Sequence, residues 1–143
     1  MTPFRTARVG AEVAVGFHAA EARALQTALL GVLAAAERAT GRPVPVDLTV
    51  DAGRGDGLVV LCRNQLVGFV PEEHAPPLRV QRERAGRRTR LVLPGLLVLD
   101  GATWRVWAGP VPEGGVPAAP DGLDALPAPQ TTVLGVPLRR DDV

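Results

Sequence analysis

Residues 57–71 read Gly-Leu-Val-Val-Leu-Cys-Arg-Asn-Gln-Leu-Val-Gly-Phe-Val-Pro, and two apolar runs flanking a polar triplet decide the fold. Leu58–Cys62 and Leu66–Val70 have the length and the β-branched content of strands. Arg63-Asn64-Gln65 stands between them, and Asn64 tolerates the positive φ of a tight reversal, so the stretch predicts a β-hairpin. Pro71-Glu72-Glu73-His74-Ala75 follows, with proline at a first-turn position and two acids at the positive end of a helix dipole. It predicts a short helix, stopped by Pro76-Pro77.

Working outward, Arg79 to Arg90 is a charged stretch interrupted by Gly86. Leu91–Leu93 and Leu96–Leu99 read as strand segments separated by Pro94-Gly95, and Asp100-Gly101 predicts a second hairpin, with Thr103–Ala108 as its return strand. Upstream, Val46–Val50 alternates as a strand before the glycine- and aspartate-rich loop Asp51–Gly57. From about His18 to Ala39 the apolar positions Ala22, Leu25, Leu29, Val32, Leu33 and Ala36 recur at helical spacing, with Gly41 and Pro43 as stop signals. Val9, Ala11, Val13 and Val15 alternate as a strand ending at Gly16. The order predicts an α+β fold: a small β-rich, barrel-like sheet with one long N-terminal helix and one short helix, followed by a proline-rich tail.

Residues 1–109 form the expected domain, a length that supports a hydrophobic core. From residue 110 to 143 proline, alanine and glycine dominate, which predicts a flexible tail, with one short apolar segment at 133–138. All 16 basic residues of the 143 are arginine, and serine, lysine, tyrosine and isoleucine are absent. Serine nucleophiles, lysine Schiff bases and tyrosine acid–base chemistry are thereby excluded. Cys62 is the one cysteine, so an intrachain disulfide and a multi-cysteine zinc site are excluded, and a reducing cytoplasm is the expected compartment. The longest apolar stretch, Ala24 to Ala36, is too short to span a bilayer and is broken by Gln26 and Thr27.

In the order strand, helix, strand, loop, hairpin, short helix, strands, the chain resembles the HIRAN domain over about residues 9–108. The local marks are Gly68, Phe69 and Pro71 within Val67-Gly68-Phe69-Val70-Pro71-Glu72-Glu73-His74-Ala75, with Gly16-Phe17-His18 as a looser upstream match. The resemblance implies a non-catalytic module that binds single-stranded DNA ends and serves a larger DNA-processing machine. The family pocket contains tyrosines, which this chain lacks, so no pocket residue carries over.

The strongest functional signal is Arg79, Arg82, Arg84, Arg87, Arg88 and Arg90 with only Glu83 opposing them, in a chain whose net charge is +1. Such a strip would neutralise phosphates and release their counterions; the plain reading is a solvated edge kept soluble by charge. Trp104 and Trp107, three apart on a strand, are expected on opposite faces, one in the core and one outward or under the tail. This sets up an alternative function, a protein-interaction adaptor that engages a partner through an exposed tryptophan and through Val133, Leu134, Val136 and Leu138. Cys62 is expected as a buried apolar residue, and His18 and His74 lack metal-ligand spacing. No catalytic residue, cofactor, metal or membrane contact is expected.

Overall fold

The computed structural model describes residues 7–21, 23–55, 57–86, 88–120, 132–133 and 136–137. The elements are β1 (Ala7–Gly10), β2 (Phe17–His18), α1 (Arg23–Val32), α2 (Ala35–Thr40), β3 (Val44–Ala52), β4 (Leu58–Cys62) and β5 (Gln65–Phe69). A 3₁₀ turn (Glu72–His74), α3 (Ala75–Ala85), β6 (Thr89–Asp100) and β7 (Thr103–Ala108) follow, with a small pair, β8 (Thr132–Val133) and β9 (Val136–Pro137). The fold is α+β, a curled antiparallel half-barrel with few and short helices.

The strands run β2-β7-β6-β3-β4-β5, and β1 lies parallel beside the first part of β6. The two ends of this order meet. Just after β2, Ala20 bridges Phe69 of β5 through Ala20 N to Phe69 O at 2.8 Å and Phe69 N to Ala20 O at 2.7 Å. Gly68 permits the approach: a Cβ there would stand 3.0 Å from Ala19 Cβ and 3.1 Å from the Ala20 carbonyl oxygen. Inside the curl, Leu29, Leu48, Leu78, Leu91, Leu97 and Val106 are among the buried core.

The hairpin turn forms as the sequence demands. Arg63 and Asn64 adopt φ of 50° and 67°, the all-positive pattern of a two-residue reversal that follows strand twist; Gln65 belongs to β5, opposite Cys62. Cys62 is buried, and burial pushes its thiol pKa up, which suits an inert packing residue.

The single long helix expected from His18 to Ala39 is not formed. Residues 17–20 are taken by β2 and by the bridge that closes the sheet, a gain of non-local hydrogen bonds that outweighs the helix propensity of alanine. The helix then breaks after Val32, where Arg63 Nη1 donates to the Val32 carbonyl at 2.7 Å. It restarts as α2, whose Glu37 accepts from the Ala34 N–H at 2.8 Å. Arg63 also grips Glu37 with both arms of its guanidinium, at 2.8 and 3.0 Å.

That fork, together with the Ala34 N–H, lowers the Glu37 pKa from 4.5 to about 2. The folded value lies below the unfolded one, so the ionised carboxylate contributes stability that is fully present above pH 4.5 and lost as pH falls toward 2. The urea midpoint of the native protein is expected to exceed that of Glu37→Gln by a constant margin at neutral pH. The margin should shrink below pH 4.5 and close near 2; a margin independent of pH would contradict the pairing.

The helix expected to stop at Pro76-Pro77 instead begins there. The prolines occupy the first turn of α3, where backbone N–H groups have no intrahelical acceptor, and the helix continues through the arginines to Ala85. Leu91–Leu93 and Leu96–Leu99 are likewise one strand, because Pro94-Gly95 is carried inside β6. Through its carbonyl, Pro94 accepts from the Gly109 N–H at 2.9 Å. Its missing N–H would point to that same side, beyond Ala108 where β7 ends.

Contact with the body extends beyond the boundary expected at Gly109. The Trp107 indole Nε1 donates to the Pro110 carbonyl at 3.2 Å, and His18 Nε2 donates to the Pro117 carbonyl at 2.6 Å. Residues 110–120 therefore form a strap along β2 and β7. Among the described residues no helix is long and apolar enough to cross a membrane.

Candidate nucleic-acid interface

The five described arginines of the run, Arg79, Arg82, Arg84, Arg88 and Arg90, do not form one continuous strip. Arg79 lies near the start of α3 and is held by Glu72 through a two-armed ion pair at 2.7 and 3.0 Å; its hydrogen bonds lower the Glu72 pKa. A guanidinium so engaged has spent most of its planar donor edge.

Arg82 and Arg90 converge on one carboxylate from different elements. Arg82 Nη2 reaches Asp51 Oδ1 at 3.3 Å, and Arg90 Nε reaches Asp51 Oδ2 at 3.0 Å. Asp51, near the end of β3, lies beside Arg90 in the β3–β6 pairing, which places Val50 opposite Leu91. One acid therefore fixes two cations and leaves this group with a net positive charge.

Arg84 and Arg88 are exposed and make no ion pair among the described residues. Arg84 sits in the last turn of α3, where a cation complements the helix dipole. Gly86 then ends the helix at φ 107°, its N–H bonded to the Arg82 carbonyl at 3.0 Å. Arg88 follows in the short turn to β6. Arg87 lies outside the described residues.

Arg8 joins this group, which the sequence reading missed. It is exposed on β1 and stands in register with Arg90 of β6. The strand expected to start at Val9 begins earlier and gives way by residue 11 to a loop; only the parallel pairing brings residues 8 and 90 together. The signal that locates Asp51 is equally remote, since its partners are 31 and 39 residues away. Among the described residues, this end of the sheet thus carries Arg8, Arg82, Arg84, Arg88 and Arg90 against Asp51, Glu83 and Glu12, the last lining one hollow with Arg84.

Neither tryptophan is outward. Trp104 is in the core at 5% exposure, and Trp107, on the other face, is covered to 3%. Gly16 lies directly on its ring, so close that a Cβ there would come within 2.5 Å of it. His18 meets the ring edge-on at 4.9 Å between centroids. Of the two places expected for the outer tryptophan, outward or under the tail, Trp107 takes the second: residues 16–18 and the strap, remote in sequence, close over the outer face of β7. Of the apolar tail positions, Leu134 and Leu138 lie outside the described residues, and Val133 and Val136 are placed by backbone alone in β8 and β9.

Between the segment Glu12–Phe17 and the start of α3 runs an open cleft of about 650 Å³ lined by Val13, Val15, Phe17, His74, Pro77 and Leu78, with Glu12 and Glu73 as its acids. His74 stacks on Phe17 at 4.7 Å. Among the described residues no three histidine, cysteine or acidic side chains gather as a metal site. Comparison with protein-family models, curated proteins and solved structures finds no match.

Proposed function

We propose that this chain is a non-catalytic nucleic-acid-binding accessory module resembling HIRAN domains, which engages the phosphate backbone through Arg84, Arg88, Arg90 and Arg8. The observation that carries the reading is the five-to-three excess of arginines over acids among the described residues at one end of the sheet, with Arg84 and Arg88 exposed. Arginine suits phosphate because its planar fork bonds two oxygens at once. Asp51 favours the role by fixing Arg82 and Arg90 in place before any ligand arrives, which reduces the ordering cost of binding. A larger DNA-processing machine is the setting such a module would serve.

The adaptor alternative has lost its exposed tryptophan, and its tail residues are taken up below. The test is fluorescence anisotropy with short single- and double-stranded DNA over a range of salt. Binding is expected to weaken with a log–log slope of about −0.7 per phosphate contact on single strands and about −0.9 on duplex. Arg84→Ala with Arg88→Ala should weaken binding to all sequences alike and flatten the slope by about 1 for each contact removed. Arg79→Ala, whose side chain is committed to Glu72, should change little. Equal loss for Arg79→Ala and the double variant, or no salt-sensitive binding at all, would overturn the assignment.

A further inference from the structure

We infer that the cleft between Glu12–Phe17 and α3 is the seat of the chain's own C-terminal segment, Val133 to Arg140. The cleft is apolar and open: Val15 on its rim is 71% exposed, a large cost for a valine with nothing upon it. Its two sides are fixed relative to each other. Gln81 of α3 accepts from the Glu12 N–H at 2.7 Å and donates to the Glu12 carbonyl at 2.8 Å, so the groove exists before anything fills it.

The strap delivers the tail to this place. Pro117, Ala118 and Pro120 wall a smaller cavity of about 260 Å³ that shares Phe17, Glu73 and His74 with the cleft. The His18–Pro117 hydrogen bond anchors the strap there, and because a carbonyl only accepts, the imidazole proton sits on Nε2. From Pro120 the next 12 residues, 121–132, reach up to about 40 Å when extended. The following segment is thus tethered to the cleft at high effective concentration.

Its chemistry matches. Val133-Leu134-Gly135-Val136-Pro137-Leu138 contains no polar side chain, and β8 pairs β9 with Val133 opposite Val136. A lone two-stranded hairpin is marginal in water and needs an apolar surface to lie on. Arg139-Arg140 and then Asp141-Asp142 come directly after it, so the charges next to the segment balance and the match with the cleft is an apolar one. An apolar segment meets an apolar groove.

The test uses the full chain with Val15→Cys, whose exposed thiol is read by maleimide labelling; Cys62 is fully buried and does not compete. With the native tail, labelling is expected to be at least about tenfold slower than in the same chain carrying Val136→Asp and Leu138→Asp, as for a site covered nine-tenths of the time. These tail substitutions leave the body intact. In a second measurement, Val15→Cys with Leu138→Cys should form an intramolecular disulfide under mild oxidation at a rate independent of protein concentration. Ala36→Cys with Leu138→Cys should not, because α2 sits beside the Arg63 turn at the far end of β5. Equal labelling with either tail overturns the inference, as does crosslinking that rises with protein concentration, which would assign the cleft to a second copy.

Discussion

Gly95→Val is expected to destabilise the protein by about 3 kcal/mol or more, the upper range for forcing extra atoms into a packed core. A Cβ at residue 95 would stand 2.4 Å from Leu48 Cδ1, 2.7 Å from Leu48 Cγ and 2.7 Å from the Trp107 carbonyl oxygen. Leu48 is fully buried, so it has no empty space into which to turn. The Trp107 oxygen is backbone of β7, fixed by the pairing of Leu96 with Trp107 and of Gly95 with Ala108. Relief therefore requires β7 to move away from β6, and with it the strap, since Trp107 is the indole that holds Pro110. Urea denaturation followed by the fluorescence of the two buried tryptophans reads this directly. Gly10→Ala, in β1, where a Cβ meets nothing within 4 Å, should stay within about 0.5 kcal/mol of the parent. Similar losses for the two would mean that the backbone freedom of glycine, and not the contact with Leu48, sets the requirement.

Gly95 also shows where sequence reasoning stopped. The Pro94-Gly95 pair has the composition of a turn, yet it lies inside the longest strand, because the lost N–H falls where β7 has ended and the lost Cβ falls where the core is tightest. Both conditions are tertiary. The features that were legible depend on adjacent residues: the positive φ of Asn64, the Asp100-Gly101 reversal, the period-two alternation of β3 and the apolar run of β4. The Pro76-Pro77 pair was read by composition as a stop, when its position in the first turn makes it a start.

The same division holds for the candidate interface. The arginine excess between residues 79 and 90 is plain in the sequence, but its division into engaged and exposed cations depends on Glu72 and Asp51. Arg8 enters only through the parallel pairing of β1. A charge run read along the chain overestimates a strip, because successive residues pass from helix to turn to strand and face different neighbours. The sequence left the outer tryptophan between two places, exposed or under the tail, for a related reason. Strand periodicity does place Trp104 and Trp107 on opposite faces, but it cannot foresee a second cover assembled from Gly16, His18 and Pro110.

Glu21→Ala is expected to be the most damaging polar substitution. Read locally, Glu21 is an acid of a helix's first turn, an exposed place worth a few tenths of a kcal/mol. In the fold it is 1% exposed and ties the start of α1 to β7. Its Oε2 accepts from the Val106 N–H at 2.9 Å, Gln26 Nε2 donates to its Oε1, and the Arg105 guanidinium lies 4.0 Å away. Gln26 in turn donates to the Trp104 carbonyl at 3.2 Å, so both residues bind the strand that covers the core. Truncation leaves the buried Val106 N–H without its acceptor and takes an anion from beside Arg105. Removing one member of such a buried group costs about 3–5 kcal/mol, a large share of the 5–15 kcal/mol typical of a domain's whole stability. The thermal midpoint should fall by about 10 °C or more. Glu21→Gln keeps an oxygen for Val106 and should lose about half as much. If the two variants lose equally, the charge beside Arg105 is the larger contribution; if Glu21→Ala loses less than about 1 kcal/mol, α1 is held to the sheet by Leu29 and Val32 alone.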